Sequence, residues 1–308
     1  SACLVGSEMC IRDSSSSWKW SVSGNIGVNR NEISDLGLLP ADFGCLGERV
    51  GYYGNSLGDH FGVGHIFLAG EAPGLFYGYV TQGIVQKEDI TENGIKYIKQ
   101  DGSVGYYQTV NKTTPVAGDV KYVDRNGDGV VDDNDRDIIG NPNPDFTYGF
   151  QTKVSWKSLS LSASFNGVQG RDILNVGNRY NNTPGTKSNN VTRKAFQNMW
   201  TDENPSNLYP KSTFVVQNMV MDRYVEDGSY LRCSDITLSY VLPAKWTNKI
   251  GIKNTSVYAS VKNAFVITDY SGYDPEVNSF AFDGLRPGVD MNSYPTPRSF
   301  VFGLNLTF

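Results

Sequence analysis

The chain has 308 residues, of which 39% are hydrophobic and 12% aromatic, and its formal net charge is -5. A mean hydropathy of -0.36, with no stretch approaching about 18 uninterrupted apolar residues, excludes a bundle of membrane helices. The acidic balance, without a clustered basic face, argues against a nucleic-acid-binding protein.

Residues 2–14 (ACLVGSEMCIRDS) resemble a translated sequencing-adapter artefact, so we expect residues 1–14 to be non-native and base no structural prediction on them. They hold two of the four cysteines, which show no spacing typical of a zinc site or a disulfide framework: Cys3, Cys10, Cys45 and Cys233. No charged, apolar and cleavage regions follow one another as in a signal peptide, so we expect an exported parent protein to begin upstream.

Regular alternation begins at residues 18–29, where Trp18 and Trp20 open a run of alternating apolar and polar side chains that predicts a strand. Residues 32–73 are rich in glycine and predict loops with short strands. Residues 86–115 are polar and acidic, which predicts a solvated loop excursion.

The sharpest chemical motif is the acidic stretch DRNGDGVVDDND at residues 124–135. Candidate oxygen ligands stand at positions 1, 3, 5, 7, 9 and 12 of a calcium-loop pattern: Asp124, Asn126, Asp128, Val130 through its carbonyl, Asp132 and Asp135. Gly129 occupies position 6, where the chain must turn sharply. Asp135 replaces the usual bidentate glutamate and no amphipathic helix precedes the loop, so the pattern favours a stand-alone calcium loop over a sensor hand. The alternative is a solvent-exposed Asp/Asn/Gly turn without an ion.

Two alternating segments then follow almost back to back. Residues 146–156 and 159–168 predict strands, and residues 157–158 fit a tight hairpin between them. Residues 171–220 break the pattern with Asn, Gly, Pro and Ser, apart from a helix-like patch at 191–200. A long excursion after a tight turn is typical of barrels with short periplasmic turns and long extracellular loops.

The last third of the chain returns to alternation. Residues 230–242 and 255–267 predict two strands, and residues 268–297 predict a loop rich in Gly, Pro and Asp. Residues 298–308 predict a final strand with one apolar face: Phe300, Phe302, Leu304, Leu306 and Phe308. Several strands carry Tyr or Trp near their ends, as in barrels that face lipid outward and a polar lumen inward. The predicted fold class is all-β, part of a transmembrane antiparallel β-barrel with long extracellular loops.

Four blocks, in family order, resemble the carboxy-terminal half of the SusC/RagA family of TonB-linked outer-membrane transporters. They are residues 118–150, 222–243, 257–277 and 294–308, and YGYVTQGIVQKEDI at 77–90 is similar as well. The resemblance covers the chain from Trp18 to its end. It implies that residues 15–308 form a partial TonB-dependent receptor barrel, whose plug and first strands we expect to be absent.

The resemblance also implies a function and a set of partners. Members of the family are closed barrels that pair with a SusD-like surface lipoprotein and import oligosaccharides or oligopeptides. They lie in the lipid of the bacterial outer membrane and contact the TonB complex, which would require the missing amino-terminal part. The carboxy-terminal Phe308 matches the terminal aromatic residue that the barrel-assembly machinery recognises. The resemblance implies a transporter and not an enzyme.

Two other classes of protein remain open. A secreted, calcium-stabilised carbohydrate-binding β-sandwich module would explain the acidic loop and the alternation but not Phe308 or the four blocks. An outer-membrane enzyme would need a catalytic constellation, and the two histidines, His60 and His65, match no catalytic spacing. Four carboxylates that could be imagined as a glycosidase pair receive no catalytic role: Glu226, Asp227, Asp274 and Glu276.

Aromatic residues in the loops are candidates for contact with a sugar ligand, since sugars are held by aromatic faces and by planar amide or carboxylate groups. The alternative is that they anchor the barrel at the membrane interface or pack within the loops. They are Tyr180, Trp200, Tyr209, Tyr270, Tyr273 and Phe282. For the stretch DYSGYDPEV at residues 269–277, a structural loop role and a transport role are both open.

Overall fold

A computed structural model describes residues 3–14, 17–37, 45–46, 49–57, 61–183, 190–212, 219–247, 252 and 254–307. The protein is all-β, with 49% of its residues in strands and 9% in helices. Among the described residues, no helix is both long enough and apolar enough to cross a bilayer.

The strands follow one another closely along the chain. In order they are β1 (Cys3–Ser14), β2 (Trp18–Arg30), β3 (Cys45–Leu46), β4 (Arg49–Tyr53), β5 (His65–Leu68), β6 (Leu75–Tyr79), β7 (Thr81–Ile84), β8 (Ile90–Thr91), β9 (Gly94–Ile98), β10 (Val104–Tyr107), β11 (Thr109–Val110), β12 (Val120–Tyr122), β13 (Val130–Val131), β14 (Arg136–Gly140), β15 (Phe146–Trp156), β16 (Leu159–Gln169), β17 (Asp172–Asn175), β18 (Val225–Asp227), β19 (Tyr230–Val241), β20 (Asn254–Thr268), β21 (Val289–Asp290) and β22 (Ser299–Thr307). The helices are α1 (Val176–Asn182), α2 (Arg193–Asn198) and α3 (Ala244–Thr247), with 3-10 turns at Lys87–Asp89, Asp133–Asp135 and Asp222–Tyr224.

The long strands form one antiparallel sheet of seven, in the order β1-β2-β15-β16-β19-β20-β22. The six strands predicted from alternation are all in it, and the predicted hairpin is confirmed, with Lys157 at a φ of 51° in the turn between β15 and β16. The seventh strand is β1, which pairs with β2 from Cys3 opposite Arg30 to Ser14 opposite Lys19. The non-native origin of residues 1–14 stays a prediction.

The register of this sheet, called the barrel sheet below, gives it two chemically different faces. On one face a row of cross-strand neighbours runs through Trp20, Val154, Leu161, Leu238, Ala259 and Phe302. The next row on the other face runs through Ser21, Lys153, Ser162, Thr237, Ser260 and Val301. The side chains of the apolar face remain open, with Phe302 80% and Phe300 66% exposed.

An open apolar face separates this sheet from a β-sandwich. In a sandwich, two sheets pack face to face and their apolar side chains interdigitate. Here the apolar face is uncovered and the opposite face is polar, with Asp235 held by Lys262 at 2.7 Å and by Ser260 at 2.6 Å. Apolar side chains outward and polar side chains inward is the arrangement of a transmembrane barrel wall. The fold class predicted from the sequence is confirmed, and Phe308 lies outside the described residues.

The three long excursions leave the barrel sheet at the same end, because β2 and β15, β16 and β19, and β20 and β22 are antiparallel neighbours. They are residues 31–145, 170–229 and 269–298, and their described parts fold together into what we call the cap. The cap contains a five-stranded sheet in the order β14-β6-β5-β4-β3. A second sheet, β18-β17-β21, joins two excursions, since β21 comes from the third excursion and pairs with β17 of the second, which also carries β18.

The cap has its own hydrophobic core. Its main cluster contains three tyrosines that are at most 1% exposed, Tyr97, Tyr107 and Tyr122, and Tyr77 is equally buried in a second, smaller cluster. The prediction of a solvated loop at residues 86–115 is therefore wrong. Tyr97 of β9 and Tyr107 of β10 alternate with exposed residues, but some of those exposed residues are apolar, and each strand has only four or five residues, too few to establish a period within a polar stretch.

Candidate functional site

The acidic loop at residues 124–135 lies in the cap and is closed by its own backbone. Asp124, only 2% exposed, accepts hydrogen bonds from the backbone N–H of Gly127 at 2.6 Å and of Gly129 at 2.9 Å. Gly129 has a φ of 86°, the left-handed region that glycine adopts without strain. Asp128 in turn accepts from the N–H of Val130 at 2.9 Å. The predicted sharp turn at position 6 is therefore present.

Asp135 ties the end of the loop to its beginning. Its carboxylate, which is fully buried, accepts from the N–H groups of Arg125 at 2.7 Å, Asn126 at 3.2 Å and Asp132 at 2.8 Å. Burial raises the pKa of Asp135 above its ordinary value, against the opposing effect of these hydrogen bonds. Asp132 caps the 3-10 turn that follows by accepting from the N–H of Asn134.

The six predicted calcium ligands are thus brought onto one loop. Within the described part of the chain, no group of three or more His, Cys, Asp or Glu side chains is arranged to hold a metal ion. The carboxylates bind backbone N–H groups in the structure, and the Asn126 amide donates to Asp128 at 2.9 Å. Calcium binding therefore stays a prediction.

The 3-10 turn at the end of the acidic loop borders a cavity of about 460 Å³, because its first residue, Asp133, lines that cavity. Residues of the first excursion line most of it, and Met219 and Val220 of the second excursion complete the wall. The functional groups in the lining are three aromatic rings, one amide, one carboxylate and one guanidinium: Tyr53, Phe61, Tyr79, Asn111, Asp133 and Arg136. The acidic loop thus determines where Asp133 and Arg136 stand in the cavity wall.

Arg136, the first residue of β14, is fixed by contacts on two sides. Its Nη2 donates to the carbonyl oxygen of Tyr77 at 2.8 Å and to that of Val63. Its guanidinium carbon lies 4.3 Å from the centre of the Tyr77 ring and 5.9 Å from that of Tyr79, within cation–π range. The Tyr77 ring also stacks on Tyr53, with ring centres 5.7 Å apart.

Tyr79 connects the floor of the cavity to its rim. It is 4% exposed, and its hydroxyl donates to Asp133 Oδ1 at 3.0 Å. Burial, reinforced by the negative charge of Asp133, raises the pKa of Tyr79 well above its usual value, so the phenol is neutral and remains a donor. Its backbone N–H donates to the Val220 carbonyl at 2.8 Å, which joins the first two excursions at the cavity.

The stretch at residues 269–277 anchors the third excursion to the barrel sheet. Arg232 of β19 forms ion pairs with Asp274 at 2.5 Å and with Glu276 at 3.1 Å. Burial raises the pKa of Asp274, but hydrogen bonds from Glu276 and Thr296 and the charge of Arg232 outweigh it, so the net shift is downward. These contacts give the stretch a structural role, and they bind both carboxylates to an arginine instead of pairing them for catalysis.

Glu226 links the second and third excursions in a similar way. Its carboxylate accepts from the N–H of Ser271 at 2.8 Å, from the Ser271 hydroxyl at 2.9 Å and from the Asn175 amide at 3.0 Å. The two contacts with Ser271 hold the third excursion against the second, and the contact with Asn175 lies within the second excursion. The sequence assigns it no catalytic role, and this geometry offers no reason for one.

The loop aromatics divide into two groups. Trp200 donates to Gln86 at 3.0 Å, and buried Tyr270 donates to Asp290 at 2.7 Å, so these two pack within the cap. Tyr273 and Phe282 are exposed on the third excursion and Tyr209 is half-buried on the second, and all three remain candidates for ligand contact. The side chain of Tyr180 lies outside the described set.

His65 is a buried residue of strand β5, and the alternative of an outer-membrane enzyme would require either this histidine or His60. Its Nε2 lies 2.9 Å from the Pro287 carbonyl, and burial lowers its pKa to about 4. His60 lies outside the described residues. The contacts of His65 join the first and third excursions.

The cavity residues Tyr53, Tyr79 and Arg136 were not identified from the sequence. One usable signal is the aromatic run LFYGY at residues 75–79, in which Tyr77 and Tyr79 lie two positions apart and so on the same face of a strand. A second is the arginine immediately after position 12 of the acidic loop. Neither signal shows that the three residues share a cavity, because they come from three strands that are far apart in the chain.

Comparison with known proteins finds relatives that share one description, TonB-dependent receptor. The chain is 29% identical over 307 residues to TonB-dependent receptor P26 of Formosa agariphila, covering 97% of this chain and 28% of that protein. It is 33% identical to TonB-dependent receptor P3 of the same organism (79% of this chain, 23% of that protein). It is 34% identical to TonB-dependent receptor SusC of Bacteroides thetaiotaomicron (61% of this chain, 17% of that protein). No family model matches the chain.

The fold also matches a solved structure. The structure of the RagAB peptide transporter superimposes with a TM-score of 0.68 at 24% identity, covering 100% of this chain and 29% of that one. The chain spans 28% or less of the length of each of the three receptors P26, P3 and SusC. The predicted resemblance is confirmed: the chain is related over most of its length to TonB-dependent receptors of the SusC/RagA type.

Proposed function

We propose that this chain is part of an outer-membrane TonB-dependent receptor that imports oligosaccharides or oligopeptides. The observation that carries the proposal is the barrel sheet, whose apolar face is open over six neighbouring strands while its other face is polar. Such a sheet is stable where acyl chains cover the apolar face, and its relatives are receptors and transporters. The cap would then lie at the mouth of the pore, where ligand arrives.

The proposed partners follow from the relatives. A SusD-like surface lipoprotein would close over the cap, and the TonB complex would supply the energy for import through another part of the intact receptor. Lipid would cover the apolar face of the barrel sheet, and the barrel-assembly machinery would recognise the end of the barrel. An adjacent lipoprotein gene in the genome would support the first pairing, whereas a neighbourhood without one would count against it.

The proposal is tested in cells that express the intact receptor containing this chain. We expect the receptor in the outer-membrane fraction, extracted only by detergent, and uptake of its ligand that disappears when TonB is deleted. A receptor that stays in the aqueous phase without detergent would instead support the secreted β-sandwich module. Uptake that is equal with and without TonB would contradict energy-coupled import.

We also propose that the acidic loop binds one Ca²⁺. The support is the chemistry of the donors, because Asp124, Asn126, Asp128, Asp132 and Asp135 all bring oxygen atoms to one loop of 12 residues, counted from Asp124 to Asp135. Calcium there would hold the 3-10 turn that carries Asp133 and Arg136. No catalytic role is proposed for any residue of the chain.

A further inference from the structure

The cavity between the first two excursions has the size and composition of a ligand site, and the proposed function does not yet use it. Its volume of about 460 Å³ falls within the range of roughly 300–1,000 Å³ that is typical of small-molecule sites. Phe61 and Tyr79 form a floor that is 6% and 4% exposed. Half-buried Tyr53 and exposed Asn111 and Asp133 stand at the rim.

The rim presents hydrogen-bonding groups that the fold leaves available. Asp133 accepts from Tyr79 through Oδ1, and among the described residues no other hydrogen bond reaches its carboxylate. The backbone N–H of Asn111 donates to Val131 at 3.0 Å, while its side-chain amide has no hydrogen-bond partner within the described part of the chain. A carboxylate accepts only, whereas an amide both donates and accepts. Together they suit a ligand with neighbouring hydroxyl groups.

Among the described residues that line the cavity, Arg136 is the one cation, and it is poorly placed to bind an anionic ligand. A carboxylate is held best by two parallel N–H groups of one guanidinium. In Arg136, Nη2 is used by two backbone carbonyls and Nε is enclosed in the protein without a partner. The arginine therefore lacks a free fork for a peptide carboxyl terminus or an acidic sugar, and nearby Asp133 would repel either one.

We infer that this cavity binds one unit of a neutral oligosaccharide, an inference that rests on the proposed function and specifies its substrate class. The sugar's C–H face would lie on the half-buried ring of Tyr53, above the buried floor, and its hydroxyls would bond to Asp133 and Asn111. Small-molecule sites usually combine an apolar and aromatic lining, which provides contact area, with a few polar groups that orient the ligand. The aromatic floor and the two polar rim groups of this cavity fit that description.

Binding is tested on the intact receptor in detergent, with an array of neutral oligosaccharides and a set of neutral oligopeptides of matched length. The best array member is then titrated by calorimetry into the wild type, Asp133→Ala and Asn111→Gly. Glycine is chosen at Asn111 because the residue has a φ of 45°. We expect each variant to weaken binding about tenfold, the effect of one lost hydrogen bond to a charged or well-placed group.

Two matched controls separate loss of the site from loss of the fold. Asp202→Ala removes an exposed carboxylate whose ion pair with Lys87 is on the surface, and Tyr106→Ala removes an exposed aromatic ring of β10. Both should bind the sugar as the wild type does. Asp133→Asn keeps an acceptor for the Tyr79 hydroxyl, so it should melt at the wild-type temperature and still bind the sugar more weakly.

Three outcomes would overturn the inference: no neutral sugar on the array binds, the cavity variants bind as tightly as the controls, or the ligand lost on mutation is a peptide. TonB-dependent uptake is measured in parallel. Peptide uptake that Asp133→Ala leaves intact would remove the inference and keep the import proposal. Sugar binding that depends on Asp133, without TonB-dependent uptake of any ligand, would remove the import proposal and keep the cavity assignment.

Discussion

The barrel sheet and the cap use the same kinds of residue in opposite ways. In the barrel sheet, large apolar side chains such as Phe302 and Leu238 are exposed, at 80% and 46%. In the cap, Tyr107 and Tyr122 are fully buried, and their rings pack with other aromatics. The sheet therefore depends on its surroundings to cover its apolar face, whereas the cap contains a core of its own. Mutations should separate the two regions.

The largest expected effect is in the core of the cap. Tyr107→Ala removes a buried ring and leaves the N–H of Tyr122, which donates to the Tyr107 hydroxyl at 3.1 Å, without its partner. We expect a loss of about 3–5 kcal/mol in the stability of the cap, measured by hydrogen exchange of cap amides in the intact receptor. The neighbouring Tyr106→Ala, on the exposed face of the same strand, should change it by less than about 0.5 kcal/mol. Equal losses in the two variants would mean that the cap has no core of its own.

A charge on the apolar face of the barrel sheet should have the next largest effect. Leu238→Arg places a guanidinium where we propose acyl chains lie, and should reduce the stability of the barrel by about 2–4 kcal/mol in lipid vesicles. The adjacent Thr237→Arg puts the same group on the polar face, beside Asp235, and should cost little. The denaturant midpoint of refolded receptor gives both values. If Thr237→Arg costs as much as Leu238→Arg, the two faces have been assigned incorrectly.

The two regions also differ in how far the sequence predicts them. Alternation over 9–15 residues, as in β22 and β20, fixes both the existence of a strand and which face is apolar. In the cap, strands of two to five residues carry too little pattern, which is why residues 86–115 were expected to be solvated. The cavity could not be predicted either, because Tyr79 meets Asp133 across 54 residues of chain. The turn of the acidic loop could be predicted, because its hydrogen bonds join residues that are close together in the sequence.

Calcium binding would increase the difference in stability between the two regions, because it would stabilise only the cap. If the acidic loop binds Ca²⁺, a concentration one hundred times the dissociation constant should stabilise the cap by about 2.7 kcal/mol. Calorimetry should record calcium binding that Asp128→Ala abolishes. Asp202→Ala is the matched control, because Asp202 pairs with Lys87 on the surface and does not line the pocket beside the acidic loop. Absence of heat with the wild type, or heat that survives Asp128→Ala, would argue for a turn without an ion.

The smallest expected effect is a pH dependence confined to the cap. His65 has a pKa of about 4 in the folded protein, because burial disfavours the charged ring, against 6.5 for an ordinary histidine. The unfolded chain therefore takes up a proton first, and stability present above pH 6.5 is lost as the pH falls towards 4. Between pH 7.5 and 5.5 the loss should be about 1 kcal/mol.

The control is His65→Gln, which keeps a donor for the Pro287 carbonyl but does not titrate. Subtracting its pH profile from that of the wild type therefore cancels the contribution of the carboxylates to the pH dependence. Hydrogen exchange of cap amides gives both profiles, and the difference should be absent from the barrel sheet. A flat difference profile would show that His65 is solvated in both states.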